Sequence, residues 1–475
     1  MDFLEQIISW GNDILWSYVL IIALIGLGLY FSFRTGFVQF RLIGEMIRLL
    51  GEGAGAKKKG VSSFQAFCIS TASRVGTGNL AGVALAIAVG GPGAVLWMWL
   101  IALIGSASAF VESTLAQIYK IRDGITFRGG PAYYMEKALG QRWMGILFSI
   151  LITLCFGLVF NSVQANTITL AFESAYGVNR LMLGIILAVL FSIIIFGGVT
   201  RIARVVQWIV PVMAVGYVLI ALFVMIKNVT MIPSVFSLIF SEAFGPAAFG
   251  GGALGAAVME GIKRGLFSNE AGMGSAPNAA ATADVSHPAK QGLIQALGVF
   301  TDTLIICSST AFIIIFSGSY TDQSLEGIQL TQEALSTQIG PWATSFVAIA
   351  ILLFAFSSLI GNYYYGETNI EFIKNSRSWI MIYRLAVIGM ILFGAVAKIQ
   401  VVWDMADLFM GSMALVNLIA IALLGKIAFA ALQDYIRQRK EGKNNPVFTR
   451  DSIPGLKNTE CWDGESSQES STAAK

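Results

Sequence analysis

Apolar runs of about 20 residues, the length that crosses a bilayer, recur along this chain between short polar stretches. The pattern predicts about eleven spanning helices, near residues 14–33, 62–90, 94–119, 146–170, 181–200, 205–228, 246–275, 291–318, 342–366, 379–397 and 406–431. Two of them are interrupted. The run from Phe64 to Ala88 carries Ser70, Thr71, Ser73 and Arg74, then Gly76-Thr77-Gly78-Asn79 at mid-depth. Non-helical backbone is tolerated in a bilayer only where protein buries it or a wet cavity meets it. An ionisable group at that depth points to function. The seventh run is broken by Gly265, Gly272, Gly274 and Pro277 and carries Glu260, Lys263, Arg264 and Glu270. Beyond Ser275 a loop is the alternative to a second half-helix. Glycine-interrupted segments in matching positions of two halves mark the binding site of a secondary transporter.

Composition sharpens the class. Of 475 residues 56% are hydrophobic and 12% charged, against about 25% charged in soluble proteins. The chain therefore reads as an all-α integral membrane protein. Its 50 glycines fit close helix packing. Four cysteines without metal-ligand spacing argue against a disulfide framework or a zinc site, and the single His287 rules out histidine-rich metal sites and argues against a histidine proton relay. Residues 1–13 lack the basic start of a cleavable signal peptide. Basic residues collect in alternate loops: Arg34 to Lys59, Lys120 to Arg142, Arg201 and Arg204, Lys290, Lys374 and Arg377, and the tail. The loop at 319–340 is acidic. By the positive-inside rule the N-terminus is outside and the C-terminus cytoplasmic. The polar tail, 433–475, is expected to be disordered. Arg128-Gly-Gly-Pro131 opens a short interfacial helix in the third-to-fourth loop.

Candidate chemistry gathers at the two breaks. A helix that restarts at Thr77 to Asn79 aims free N–H groups and a positive dipole end at a carboxylate. The preceding half-helix leaves carbonyls near Ala72 and Val75, suited to sodium. Close packing alone is the other use of Gly76 and Gly78. Ser357 and Ser358 offer two hard oxygens. Asn161 and Gln164, three apart, share a helix face. Asp302 lies about ten residues into its run, where pairing with Arg74 and cation coordination are both open. No phosphate-binding loop and no aromatic-interleaved basic surface appear, so ATP-driven transport and nucleic-acid binding lack support.

Gly90-Gly-Pro-Gly-Ala-Val-Leu-Trp-Met-Trp-Leu-Ile-Ala-Leu-Ile-Gly105 resembles the signature of the alanine or glycine:cation symporters, also called sodium:alanine symporters. Val75-Gly-Thr-Gly-Asn79, Gln164-Ala-Asn166, Gly265 to Pro277 and Tyr365-Gly-Glu367 also resemble that family, and the likeness omits only the tail. The resemblance implies a LeuT-like fold: residues 1–61 with an extra helix, then two inverted five-helix repeats at 62–228 and 246–432. It implies sodium-coupled uptake of small neutral amino acids across the plasma membrane, not an enzyme. It places substrate at Gly76, Thr77, Gly78, Asn79, Gln164, Met273 and Gly274. It places sodium at Ala72, Val75, Ser357 and Ser358. Two departures stand out. Arg74 replaces a small residue near a second sodium, which implies a charge pair with Asp302 and one sodium per substrate. Asn362 stands where alanine-specific members have Trp, which implies a larger pocket and glutamine among the substrates. Proton coupling through Asp302 or Glu270, and an amino-acid-gated channel or sensor, are the competing readings.

Overall fold

The computed structural model describes residues 2–55, 60–196, 198–244 and 254–462. The expected Lys57-Lys58-Lys59 loop, residues 246–253 of the seventh run and the tail beyond 462 lie outside these residues. Each of the eleven expected spans carries helix: α1 (Gln6–Arg34), the pair α2 (Ser63–Arg74) and α3 (Gly78–Gly90), α4 (Ala94–Ile118), α5 (Arg142–Tyr176), α6 (Arg180–Ile195), α7 (Gly198–Lys227), α8 (Leu254–Asn269), α9 (Pro288–Ser317), α10 (Trp342–Ile373), α11 (Arg377–Val396) and α12 (Ile399–Lys440). Among the described residues seven helices alone are long and apolar enough to cross a membrane, and nine if each bent pair is one span. The other two, α6 and α8, have 16 residues each, and α8 carries three charges.

Local chemistry sets the breaks. α2 starts on a capping box: Ser62 Oγ accepts from Gln65 N–H, and Gln65 Oε1 accepts from Ser62 N–H. It ends at Arg74 because Val75 is extended, and α3 leaves at an angle of 49°. α8 ends where Glu270, Gly272 and Gly274 all take positive φ, at 58°, 81° and 88°. Three left-handed residues in five positions cannot continue a right-handed helix.

The seventh run differs from its reading in two ways. Gly265 does not interrupt it but lies inside α8, where a Cβ would come within 2.7 Å of Ile101 Cγ2 on α4. Its small size serves close helix approach. Beyond Ser275 the chain is not a loop but a short buried helix, Ala276–Ala281.

The face carrying the basic loops holds two more departures. A two-stranded antiparallel hairpin, β1 (Ile121–Asp123) with β2 (Thr126–Arg128), precedes the expected short helix, Pro131–Lys137. The tail expected to be disordered from 433 is ordered to 462. α12 continues to Lys440, and the following chain folds back over the helix ends. Phe448 N–H donates to Ser286 O, Trp462 Nε1 donates to Gln117 O, and Lys120 lies over the Phe127 and Trp462 rings. Buried Phe448, Ile453, Leu456 and Trp462 give this segment an apolar anchor that its polar average hid. On the opposite face the acidic loop contains a partly buried helix, Ile328–Ile339.

Candidate functional site

The breaks of α2/α3 and of α8 meet at the centre of the helices. Ser358 on α10 faces the end of α2: its hydroxyl lies 2.8 Å from Ala72 O and 3.4 Å from Val75 O. Three hard oxygens from two elements thus converge where a half-helix ends and its carbonyls have lost their helical partners. Gly76 permits this closeness, because a Cβ there would strike Ser358 Oγ. Ser357 is not part of the group. Its hydroxyl bonds Phe354 O at 2.8 Å and turns toward Met213 Sδ.

The restart of the helix is likewise ordered by side chains. Gln164 Oε1 accepts from Thr77 N–H at 3.0 Å and Thr77 Oγ1 at 2.6 Å. Asn79 Oδ1 accepts from Gly76 N–H at 2.9 Å. The expected substrate donors at Gly76 and Thr77 are therefore bonded to Asn79 and Gln164 in this structure. A carboxylate using Thr77 must take the place of the Gln164 oxygen. Gly78 faces Phe267 and Ser268.

Asp302 does not pair with Arg74. Its carboxylate accepts from Asn79 Nδ2 at 2.7 Å, Ser268 Oγ at 2.5 Å and Thr303 Oγ1 at 3.2 Å. These donors fill the place expected for the guanidinium. Arg74 is buried, with Nη1 donating to Gln295 O at 3.3 Å and with Nε and Nη2 lacking partners among the described residues.

Two carboxylates that the sequence reading underused shape the break of α8. Glu112 on α4 accepts from the N–H groups of Gly272 and Gly274, both at 3.1 Å, and from Asn417 Nδ2 at 2.8 Å. All three partners are donors, which suits an ionised carboxylate. Gly274 N–H is therefore held by Glu112, and Met273 is buried between these two glycines. Glu270 accepts from Ser73 Oγ at 2.7 Å and Ser275 Oγ at 2.5 Å. The Ser73 hydroxyl, whose one proton goes to Glu270, also stands 2.7 Å from one end of the Asn362 amide, and the other end is buried without a hydrogen-bond partner among the described residues. An ionisable residue inside an apolar run was the available signal for Glu112. Asn417 carried no comparable signal.

Toward the acidic loop, a 410 Å³ cavity is lined by Glu260, Lys263, Arg264, Asp404 and Asp407 among others. Trp403 lines it and packs 4.7 Å from Phe267, which packs 4.4 Å from Phe160. This aromatic layer lies between the charged cavity and the Gly78 backbone, where a Cβ would come 2.8 Å from Phe267 Cδ1.

Helices broken at mid-depth, with hard oxygens and buried carboxylates at the breaks, define a secondary transporter of the membrane. The chain belongs to the sodium:alanine symporter family, whose model matches residues 1–450. It is 62% identical to the probable sodium/glutamine symporter GlnT of Bacillus subtilis (strain 168), over 97% of this chain and 96% of that one. It is 60% identical to the amino-acid carrier protein AlsT of the same organism, over 98% and 99%. It is 36% identical to the sodium/alanine symporter AgcS of Methanococcus maripaludis, over 94% and 100%. The protein is thus a cation-coupled amino acid symporter and not an enzyme.

Proposed function

We propose that the chain takes up small neutral amino acids, glutamine among them, with one sodium ion per substrate, by alternating access. The convergence of Ser358 Oγ, Ala72 O and Val75 O carries this reading. A sodium ion bound there ties α10 to the end of α2. It thereby stabilises the arrangement of the breaks that receives substrate. Coupling follows if the ion favours that state over the alternative.

The substrate lies against Thr77 and Gly78, with Gln164, Met273, Gly274 and Asn362 around it. Its carboxylate takes the Thr77 donors that Gln164 occupies otherwise. Arg74 supplies a fixed positive charge among the buried carboxylates, in place of a second sodium. The glutamine reading is supported by the free end of the Asn362 amide and by the 62% identical relative, a probable sodium/glutamine symporter. The basic face is the cytoplasmic one, with the N-terminus outside.

Purified protein in proteoliposomes tests this. An inward sodium gradient should drive labelled glutamine or alanine above equilibrium, and an equal potassium gradient should not. Uptake driven by a proton gradient without sodium would refute the reading. A measured ratio of two sodium ions per substrate would remove the role given to Arg74.

A further inference from the structure

We propose that Glu270 receives the α-ammonium group of the transported amino acid, an inference that rests on the substrate position above. Three observations lead to it.

The first is the convergence of helix ends. α2 and α8 both finish here, at Arg74 and Asn269. The C-terminal end of a helix presents free carbonyls and partial negative charge. Ser73 on the last turn of α2 bonds Glu270 just past the end of α8 at 2.7 Å. A carboxylate beside two negative helix ends is a place for a cation. The start of α3, by contrast, presents N–H groups and suits an anion. A zwitterion laid between them meets complementary charge at both ends.

The second is what Glu270 lacks. It is buried, and among the described residues no salt bridge joins it to a cationic side chain; the Arg74 charge acts on it only through space. Both of its observed partners are hydroxyls, Ser73 and Ser275. A carboxylate offers about four acceptor positions, so there is room for an N–H donor. Glu112 differs, because two backbone N–H groups and Asn417 already surround it. Asp302 differs too, holding Asn79, Ser268 and Thr303.

The third is an orphan on the same chain of bonds. Asn362 touches Glu270 through the shared Ser73 hydroxyl, and the far end of its amide is buried with no hydrogen-bond partner among the described residues. A free amide end so close to a carboxylate that no salt bridge holds indicates a ligand with a cationic donor for the one and a polar group for the other. An amino acid with a polar side chain has both. The positive φ of Glu270, 58°, is the strained conformation that aims the residue out of the line of α8.

The test compares substrates that differ only at the α-position. In proteoliposomes holding the wild-type chain, a 2-hydroxy acid with the side chain of the labelled amino acid should compete at least a hundredfold less well. Equal competition would overturn the proposal without any mutant. Glu270→Gln keeps the shape and removes the charge. Its KM for the amino acid should rise on the order of a hundredfold, as loss of one partner of a buried charge pair implies. Its preference for amino acid over hydroxy acid should collapse, while equilibrium binding of labelled sodium stays within threefold of wild type. Glu270→Asp should restore part of the preference. An unchanged KM together with lost proton movement would make Glu270 a proton carrier and refute the ammonium role. Loss of sodium binding together with unchanged preference would refute it as well. Should wild type lack sodium-driven uptake, the proposed coupling fails; the hydroxy-acid comparison still decides the role of Glu270.

Discussion

Arg264 on α8 grips Asp407 on α12 through both arms of its guanidinium, Nη1 to Oδ1 at 3.0 Å and Nη2 to Oδ2 at 2.7 Å. The same guanidinium holds Glu260 one turn away at 3.2 Å and lies 4.7 Å over the Trp403 ring. The broken helix is thereby fastened to α12 at the floor of the charged cavity.

Removing one member of this pair should cost more than removing both. Breaking a buried pair by removing one member costs about 3–5 kcal/mol, whereas replacing the whole pair by apolar groups is often neutral; Asp407→Ala leaves Arg264 with Glu260 alone and takes a carboxylate from Lys263 as well. Asp407→Ala should lower the melting temperature in detergent clearly more than Arg264→Met combined with Asp407→Leu. Equal losses would show that the pair contributes little beyond its packing.

The sodium site yields a contrast between neighbours. Ser358→Ala should raise the sodium concentration for half-maximal uptake on the order of tenfold, as loss of one hydrogen-bonding partner of a charged group implies. Ser357→Ala, whose hydroxyl turns to Phe354 O and Met213, should shift it less than threefold. Sodium titrations of uptake decide this, and a larger effect at Ser357 would reverse the assignment. Gly76→Ala should abolish sodium dependence, since the added methyl strikes Ser358.

Much of this was legible in the sequence because membrane burial writes a coarse code. Runs of about 20 apolar residues located the helices that are long and apolar enough to cross a membrane among the described residues, and glycine with polar residues at mid-depth located both breaks. Distances between helices were not written there. Arg74 and Asp302 looked like partners because each is an ion in lipid needing one. Only the fold shows Asn79, Ser268 and Thr303 filling the Asp302 carboxylate. Gly265 and Gly272 look alike in sequence, yet one admits α4 and the other bends the chain. The tail misled for the same reason: four anchoring side chains vanish in a polar average.

Those anchors lead to a pH prediction. His287, the chain's single histidine, caps α9, accepting from Ala289 N–H at 3.1 Å through Nδ1. Its Nε2 stands 3.2 Å from Asp434 Oδ2, and Tyr435 and Phe448 pack on its ring. Burial holds the imidazole below its usual 6.5, partly offset by the bond to Asp434. The unfolded chain therefore takes up a proton at a pH where the folded one does not, so stability falls as pH drops below about 6.5. Cleavage within residues 443–462 by added protease should speed up between pH 7 and pH 5.5. His287→Gln should flatten that dependence. A profile equally steep in the variant would place the titrating group elsewhere.

Pocket size is tested at Asn362. The residue is buried on α10, one of its amide ends meets Ser73, and the other has no hydrogen-bond partner among the described residues. A substrate side-chain amide can satisfy that free end, and a methyl group cannot. Leaving a buried donor or acceptor unmet costs about 1–3 kcal/mol, which is on the order of tenfold to a hundredfold in affinity. Glutamine should therefore compete against labelled substrate more strongly than alanine in the wild-type chain. In Asn362→Trp an indole fills the space and removes the amide together. It should exclude glutamine by overlap, a repulsive form of selectivity, and keep alanine within about tenfold. Asn362→Ala separates the two effects, because it keeps the space and removes the hydrogen bond. Glutamine should weaken there without being excluded. If glutamine fails to compete in wild type, the pocket is closed by a neighbour such as Tyr363 or Phe356, and the reading of Asn362 is wrong.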